Sequence, residues 1–338
     1  MCLAGRPLPP QCTPMGEFEL IARYFKRPVR RASLGVGDDC ALLAPRPGMQ
    51  LAVSSDMLVE GRHFFADVDP EALGHKALAV NLSDLAACGA EPLAFTLALA
   101  LPQADDAWLA AFARGLLALA DAHGCELVGG DTTRGPLNIC ITVFGEVPAG
   151  QALLRSGAQV GDDLYVSGTL GDARLALEAL QGRIALPADV LATARQRLER
   201  PTPRVALGVK LRGVASSAID VSDGLLGDLG HVLQASGVGA SIQAEKAMEL
   251  LAASAYQSSA GGQFEQDFWR RCVLAGGDDY ELAFTAPPPA RAAVAAAALQ
   301  ADTAVRRIGQ IEAAAGLRVV DAAGHELRLA FPSFDHFA

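Results

Sequence analysis

The sequence predicts an α/β protein, or α+β in the looser sense, because apolar strands alternate with helices in both halves of the chain. The length of 338 residues corresponds to about two domains, and 51% of the residues are hydrophobic, enough for large packed cores. Pro148-Ala149-Gly150 marks a boundary between the halves. We expect an N-terminal domain over 15–150 and a C-terminal domain over 151–338. Residues 1–14 are a proline-rich segment predicted to be disordered, with Met15 as a candidate start.

The N-terminal half contains clear helix signals. Asp69-Pro70 places an N-cap before a proline at the first helical position and predicts a helix ending near Gly89. The segment 106–123 is amphipathic and is closed by Gly124. The other elements predicted here are a helix over 17–26 and strands over 40–43, 51–55, 93–101, 125–128 and 138–147.

The C-terminal half continues the alternation of short apolar runs and amphipathic segments. The predicted strands are 163–167, 217–220, 282–285 and 305–311. The predicted helices are 170–181, 187–199, 203–212, 224–236 and 290–300.

Charge and cysteine content exclude several classes of protein. The net charge of −10 argues against nucleic acid or an anionic membrane as the main partner. Seven cysteines, an odd number without a C-x-x-C pair, predict reduced thiols and a cytoplasmic location. No apolar run approaches the ~20 residues of a membrane-spanning helix.

Aspartate beside glycine is the most frequent motif. Gly-Asp-Asp begins at Gly37, Gly161 and Gly277, Gly-Gly-Asp at Gly129, and Asp-x-Ser-Asp-Gly at Asp220. Glycine allows a sharp turn close to a ligand, and carboxylates are natural ligands of the Mg²⁺ that accompanies nucleotide phosphates. The pattern predicts a phosphate site with several metal ions, although each motif alone is also typical of a β-turn.

Further polar residues stand in apolar surroundings. Ser54-Ser55-Asp56 follows the predicted strand 51–53 and offers hard oxygen ligands. Asp84 lies in the almost wholly apolar helix that ends near Gly89, where an unpaired carboxylate is costly. We favour a metal there over a salt bridge to arginine.

For the other motifs, a structural role explains the residues about as well as a functional one. Gly161-Asp162-Asp163 leads directly into an apolar strand and is assigned to a structural turn. Arg155 is either a phosphate clamp or part of a surface ion pair. Asp220 to Gly224 ends a strand and opens a helix, so its N–H groups favour phosphate unless Ser222 or Asp223 merely caps the helix. The Walker, kinase, nucleophile-elbow and G-x-G-x-x-G motifs are absent from the sequence.

Taken together and in order, these motifs resemble the thiamine-monophosphate kinase family over nearly the whole chain, from about Met15 to Phe337. The matching segments are MGEFELI (15–21), GDD (37–39), SSD (54–56), AVNLSDLA (79–86), GGDTT (129–133), IDVSDGL (219–225) and GGDDYEL (276–282). The Asp-x-Ser-Asp-Gly element alone is shared with the wider superfamily of aminoimidazole-ribonucleotide synthetase.

The resemblance implies a two-domain fold like that of aminoimidazole-ribonucleotide synthetase. An N-terminal mixed sheet would form a barrel in a homodimer, and a C-terminal α/β domain would follow. It implies transfer of the ATP γ-phosphate to thiamine monophosphate with several Mg²⁺ ions, as the last step of thiamine diphosphate synthesis.

By position, the resemblance also implies roles for individual residues. The implied metal ligands are Asp39, Ser54, Ser55, Asp56, Asp84, Asp131, Asp220 and Asp223, with Asp56, Asp131 and Asp220 as the catalytic ones. The implied nucleotide contacts are Gly130, Asp131, Arg155 and Ser222, and the implied substrate contacts are His63, Asp278 and Phe334. Two positions depart from the family, which often has Glu at 278 and Tyr or Trp at 334.

Two other functions stay open. One is a related ATP-dependent enzyme of the aminoimidazole-ribonucleotide synthetase type, and the other is a non-catalytic nucleotide sensor on the same scaffold. For the kinase we expect direct in-line transfer to a substrate phosphate oxygen that is already anionic near pH 7, because its second pKa is about 6. A strong general base is then unnecessary.

Overall fold

The computed structural model describes residues 16–259 and 264–327 and shows two mixed sheets that follow each other along the chain. The predicted lead-in over 1–14 and the candidate start Met15 lie outside the described residues. Among the described helices, none combines the length and apolar character that crossing a bilayer requires. Cys40, Cys88, Cys125, Cys140 and Cys272 are free thiols.

The N-terminal half builds a four-stranded sheet in the order β1-β4-β2-β3, in which only the β2–β3 pair is parallel. Its strands are β1 (Met49–Val59), β2 (Glu91–Leu101), β3 (Glu126–Arg134) and β4 (Asn138–Pro148). Its helices are α1 (Glu17–Leu20), which continues as a π turn over Ile21–Phe25, α2 (Pro70–Ala87) and α3 (Asp106–His123).

The C-terminal half builds a six-stranded sheet in the order β10-β7-β9-β5-β8-β6, in which only β10 and β7 are parallel. Its strands are β5 (Asp163–Ser167), β6 (Ser217–Val221), β7 (Gly239–Gln243), β8 (Glu281–Ala286), β9 (Val305–Glu312) and β10 (Gly316–Val320). Its helices are α4 (Asp172–Leu180), α5 (Ala188–Glu199), α6 (Val205–Leu211), α7 (Leu225–Ser236), α8 (Ala244–Met248), α9 (Ser254–Ser259), α10 (Gln266–Ala275) and α11 (Arg291–Gln300).

Helix α2 is the central element between the two halves. Asp69 caps it by accepting the N–H of Glu71 at 2.9 Å, and Pro70 occupies its first position, as the sequence predicted. It packs closely against α3, since a Cβ atom on Gly74 would lie 2.1 Å from the carbonyl oxygen of Phe112. It also contacts β1, β4, α6 and β6. Residues on α2 therefore reach both sheets.

Two predicted strands are longer than expected, and one is absent. Ser54 to Asp56 do not follow the end of a strand, because β1 continues to Val59. The Gly129-Gly130 pair is not a turn, because β3 runs through it to Arg134. In the described chain, residues 40–43 form only an isolated bridge between Leu42 and Leu34. Polar and glycine residues mark turns in most sequences, but strands at the edge of a sheet also accept them.

The two faces of the N-terminal sheet differ. The inner face packs against α2 and holds buried residues such as Ile141. The outer face carries Leu51, Val53 and Met57 of β1, which are 43%, 58% and 53% exposed. Because β1 alternates between the faces, Ser54 and Asp56 point inward and Ser55 points outward.

Candidate active site

Five of the predicted site residues lie together at the junction of the two halves. We call Ser54, Asp56, Asp84, Asp220 and Asp223 the acid cluster. Ser54 and Asp56 come from the inner face of β1, Asp84 from α2, and Asp220 and Asp223 from the end of β6. Two facts bring them together: the alternation of β1, and the contact of α2 with both β1 and β6.

Hydrogen bonds from α2 join the parts of the acid cluster. Ser54 Oγ donates to Asp84 Oδ2 at 2.5 Å, which joins β1 to α2. Ser83 Oγ donates to Asp220 Oδ2 at 2.8 Å, which joins α2 to β6. Asn81 accepts the backbone N–H of Asp56 at 3.1 Å. The carboxylates of Asp84 and Asp220 are therefore held by hydroxyl groups, which do not neutralise their charge.

Burial and mutual repulsion disfavour the ionised forms of these carboxylates. Burial raises the pKa of Asp56 to about 6, with further contributions from Asp84 and Asp223. Burial and the charge of Asp84 raise the pKa of Asp220 to about 8. Burial also raises the pKa of Asp84, against the opposing effects of the Ser54 hydroxyl and the Arg155 charge. A cation bound here would relieve both the desolvation and the repulsion.

The loop from β6 to α7 does not offer the open phosphate site that the sequence predicted. Asp228 Oδ2 accepts the backbone N–H groups of Ser222, Asp223 and Gly224 at 3.0, 3.1 and 3.1 Å. This side chain, from the first turn of α7, takes the place that a phosphate would occupy. No local feature of the sequence indicates this contact, because an aspartate in a first helical turn is common.

A cavity of about 1020 Å³ opens beside the acid cluster. Asp56, Asp84, Asp220 and Asp223 line one part of it, together with Ser222. Its wall also includes His63, Asp278, Tyr280 and Lys76, as well as Arg174, Arg183 and Arg271, which contact Glu178. The cavity wall therefore carries both carboxylates and arginines.

The predicted substrate residues His63 and Asp278 both line this cavity. Nδ1 of His63 accepts the backbone N–H of Val59 at 3.0 Å, which leaves the ring proton on Nε2. Asp278 Oδ1 accepts a hydrogen bond from Lys76 Nζ at 2.6 Å. The third predicted substrate residue, Phe334, lies outside the described residues.

Ser55, Gly130 and Asp131 lie away from the acid cluster. The strand register places Met57, Cys140, Ala98 and Asp131 in one row across the sheet, on the outer face. Ser55 is on the same face, with its Oγ 3.0 Å from Thr142 Oγ1.

Gly130 lies in β3 with a φ angle of 146°, and a Cβ atom there would lie 1.9 Å from the carbonyl oxygen of Leu97. Only glycine fits this contact.

The remaining predicted residues occupy loops. Asp39 is exposed, with its N–H donated to Asp38 Oδ1 at 2.8 Å. Arg155 follows the N-terminal sheet and is close enough to Asp84 to lower its pKa. Asp163, in the turn interpreted as structural, is buried and bonded to Arg291 and Arg307. This turn has the structural role that the sequence predicted.

The donor set of the acid cluster suits a hard divalent cation. Its ligands are carboxylate and hydroxyl oxygens, which Mg²⁺ prefers over nitrogen or sulfur. Within residues 16–259 and 264–327, no three His, Cys, Asp or Glu side chains form a ready-made metal site. Mg²⁺ usually takes one or two carboxylates and completes its shell with phosphates and water, so the residues fit a metal that arrives with a nucleotide.

Comparisons with known proteins cover nearly the whole chain. Residues 37–147 match the AIR synthase related protein, N-terminal domain, and residues 159–322 match the corresponding C-terminal domain. The thiamine-monophosphate kinase of Salmonella typhimurium is 47% identical over 329 residues, covering 96% of this chain and 98% of the relative.

Solved structures agree with the sequence comparison. The crystal structure of thiamine-monophosphate kinase from Stenotrophomonas maltophilia is similar with a TM-score of 0.79 and 46% identity, covering 89% of this chain and 94% of that one. The structure of AaThiL complexed with AMPPCP and TMP is similar with a TM-score of 0.74 and 30% identity, covering 87% and 89%.

Proposed function

We infer that this chain, which belongs to the thiamine-monophosphate kinase family, transfers the γ-phosphate of ATP to thiamine monophosphate and releases thiamine diphosphate and ADP. The observation that carries this conclusion is the 47% identity over 96% of the chain, with 98% of the Salmonella kinase covered. The relative in complex with AMPPCP and TMP supports the same two reactants. The cavity beside the acid cluster is the proposed site of the reaction.

The chemistry requires two anions to meet and needs little proton transfer. A terminal phosphate oxygen of the acceptor is already ionised near pH 7, since its second pKa is about 6. His63 is the histidine on the cavity wall, and its Nδ1 already accepts a hydrogen bond while Nε2 holds the proton. A neutral ring in this state lacks an acceptor nitrogen for general-base catalysis. Direct in-line attack is therefore the proposed path, with repulsion between the reactants as the main barrier.

We propose that several Mg²⁺ ions are held by the carboxylate and hydroxyl residues. When bound, Mg²⁺ supplies positive charge that offsets the two phosphate groups and aligns them. Asp56, Asp84 and Asp220 are the strongest ligands in this proposal, because all three line the cavity and burial raises their pKa values, a cost that a bound cation would offset. The remaining proposed ligands are Asp39, Ser54, Ser55, Asp131 and Asp223.

The nucleotide contacts follow from the same arrangement. Gly130 and Arg155 are proposed to approach the triphosphate. Ser222 would contribute its hydroxyl, because its N–H group is already donated to Asp228. Ser55 and Asp131 lie on the outer face of the sheet, so they are proposed to act together there, separately from the acid cluster.

We also propose a homodimer in which the outer faces of two N-terminal sheets join. Leu51, Val53 and Met57 expose large apolar side chains in one line along the edge strand β1. A line of exposed apolar side chains on the face of a sheet is typical of an interface. The five free thiols in the described chain support the proposal of a reducing, cytoplasmic location. We also propose that the chain divides into two domains near residue 150.

Oligomeric state tests the dimer directly. The wild-type chain should sediment at about twice its mass of 35.1 kDa. Val53→Lys should shift it toward the monomer, because a buried lysine would face its own symmetry mate. Leu299→Lys is the matched control, since Leu299 is 84% exposed on α11. A monomeric wild-type protein at micromolar concentration would overturn the dimer.

A substrate panel tests the reaction. The purified chain is incubated with ATP, Mg²⁺ and thiamine monophosphate, free thiamine or an aminoimidazole precursor, and the products are separated by chromatography. We expect thiamine diphosphate and ADP in equal amounts from the first acceptor only. Turnover of the aminoimidazole precursor would favour the synthetase-type enzyme. ATP binding without any product would favour the sensor.

A further inference from the structure

Lysine is rare in this chain, and Lys76 is the buried one of its four lysines. It lies on α2 and is 3% exposed. Its Nζ donates to Asp278 Oδ1 at 2.6 Å, so the buried ammonium has a carboxylate partner. Burying a lysine requires such compensation, and breaking the pair would be costly.

The partner Asp278 lies in a strained loop on the cavity wall. Asp278 and Tyr280 have φ angles of 67° and 52°, values that residues other than glycine adopt at a cost in energy. The loop is tied to the end of β6, because the N–H groups of Asp278 and Tyr280 donate to the carbonyl oxygens of Ser222 and Val221 at 2.9 and 2.8 Å. The position of Asp278 is therefore fixed relative to the acid cluster.

The two oxygens of Asp278 have different surroundings. Lys76 Nζ and, at 3.5 Å, Tyr280 Oη both contact Oδ1. Within the described residues, Oδ2 accepts no hydrogen bond, and the Asp278 side chain is 31% exposed on the cavity wall. One oxygen is thus committed to the protein, and the other is left to accept a hydrogen bond from a ligand.

Helix α2 connects this pair to the acid cluster. Lys76, Val80 and Asp84 follow each other at intervals of four residues and all line the cavity. That spacing places them on one face of the helix, and eight residues correspond to a rise of about 12 Å. The same rigid helix therefore sets the distance from Asp278 to the carboxylates proposed for phosphate transfer.

We propose that Lys76 is a positioning residue for the acceptor: it holds Oδ1 of Asp278 and turns Oδ2 into the cavity, where Oδ2 accepts a hydrogen bond from an amino group on the heteroaromatic ring of the substrate. The inference rests on the proposed function, because the ring is the aminopyrimidine of thiamine monophosphate. Because the Lys76–Asp278 pair is neutral as a whole, recognition depends on the hydrogen bond more than on the positive charge of the substrate.

Steady-state kinetics with Lys76→Met, Lys76→Arg and the control Lys210→Met test the proposal. Lys210 is an exposed lysine on α6, so its substitution should change nothing. We expect Lys76→Met to raise KM for thiamine monophosphate about ten- to hundredfold, the usual value of a hydrogen bond to a charged group. The KM for ATP should stay unchanged, and Lys76→Arg should retain most of the affinity for the acceptor.

An acceptor analogue separates positioning from a merely structural role. In the analogue, hydrogen replaces the amino group of the pyrimidine. Wild-type enzyme should discriminate against it, and Lys76→Met should lose that discrimination. In an Asp278→Asn background, Lys76→Met should have little further effect, because both residues act through one contact.

Several results would overturn the proposal. One is an unchanged KM for thiamine monophosphate in Lys76→Met. Another is that Lys76→Met still discriminates against the analogue without the amino group. The third is that Lys76→Met raises KM as much in the Asp278→Asn background as in the wild type. If Lys76→Met does not fold, the Asp278→Asn variant is the deciding test. A KM for thiamine monophosphate equal to that of the wild type in this variant would show that Asp278 does not contact the substrate. A wild-type chain without kinase activity is a different result, which rejects the proposed function itself.

Discussion

Two groups of carboxylates in the described part of the chain have opposite surroundings. In the first group each carboxylate is bonded to two arginines. Glu281 accepts from Arg197 Nη2 at 2.8 Å and from Arg204 Nε at 2.6 Å, while it is 0% exposed. The other members, with their arginines, are Asp163 (Arg291, Arg307), Glu146 (Arg31, Arg46) and Glu178 (Arg174, Arg183).

Asp56, Asp84 and Asp220 of the acid cluster have no such arginine pairs in the described chain. In the part of the chain that the structure describes, no lysine or arginine forms an ion pair with Asp56, Asp84 or Asp220. The pKa values show the contrast. The hydrogen bond from Arg291 lowers the pKa of Asp163, whereas burial raises the pKa of Asp56 and Asp220. A chain with 24 arginines has the means to pair these aspartates, and the Mg²⁺ proposed above would supply the positive charge that no arginine supplies here.

The comparison is tested first on the arginine-paired side. Glu281→Gln keeps the shape of the side chain but leaves Arg197 and Arg204 without a counter-charge. Breaking a buried ion pair from one side costs about 3–5 kcal/mol, so we expect a loss of that order in the free energy of unfolding. Urea denaturation followed by circular dichroism measures it. A loss within the error of the wild-type value would show that the pair is not a stabilising contact.

The second test is on the acid cluster. Asp84→Asn removes one charge from a crowded site, so folding should be unaffected or slightly improved, whereas turnover should fall about a hundredfold or more, roughly 2.7 kcal/mol of barrier. Asp189→Asn is the matched control, since Asp189 is an exposed aspartate on α5. Stability and the rate of thiamine diphosphate formation are measured on the same samples. Near-normal turnover at saturating Mg²⁺ would show that Asp84 is not a ligand.

Local signals in the sequence predicted many elements well. Helix α3 was predicted with its observed limits from its amphipathic pattern and from Gly124, which ends it at a φ angle of 59°. Strand β5 was predicted with its observed limits because an apolar run follows a tight turn. The errors occurred where polar residues lie inside strands, as at Ser54 in β1 and Gly130 in β3. Those strands are at the two edges of the sheet, which accept polar and glycine residues more readily than central strands.

The site was predictable as a set of residues but not as an arrangement. Asp56 and Asp84 were predicted from their residue types, and the family resemblance supplied the rest. Asp228, which takes the N–H groups of the loop after β6, and Lys76, which pairs with a residue 202 positions away, left no local sign. Both depend on contacts made only after the chain folds. Two of the Gly-Asp-Asp turns show what sequence could separate, since Asp163 binds arginines in the turn predicted to be structural, while Asp278 lines the cavity.

The smallest effect concerns the dependence of stability on pH. The pKa of Asp220 in the folded state, about 8, lies above the ordinary value of about 3.9 expected when unfolded. Between these values the folded state holds a proton that the unfolded state has released, so the contribution of Asp220 to stability falls as pH rises. Asp163 acts in the opposite sense, because its pKa is lowered and its contribution is lost as pH falls.

We therefore expect the free energy of unfolding of Asp220→Asn, measured in EDTA, to rise relative to that of wild type between pH 6 and 8.5, by at most about 1.4 kcal/mol per pH unit. The melting temperature of the variant should rise relative to wild type over the same range. The quantity to follow with pH is the difference in melting temperature between the variant and the wild type. His75 and His123, whose pKa values are lowered by burial, add a slope of opposite sign that is common to both. Saturating Mg²⁺ with ATP should reduce the difference, because a bound cation favours the ionised aspartate and stabilises only the wild-type site. If the two melting curves run parallel in EDTA, Asp220 is already compensated in the folded chain, and the contrast between the two groups of carboxylates would not hold for this residue.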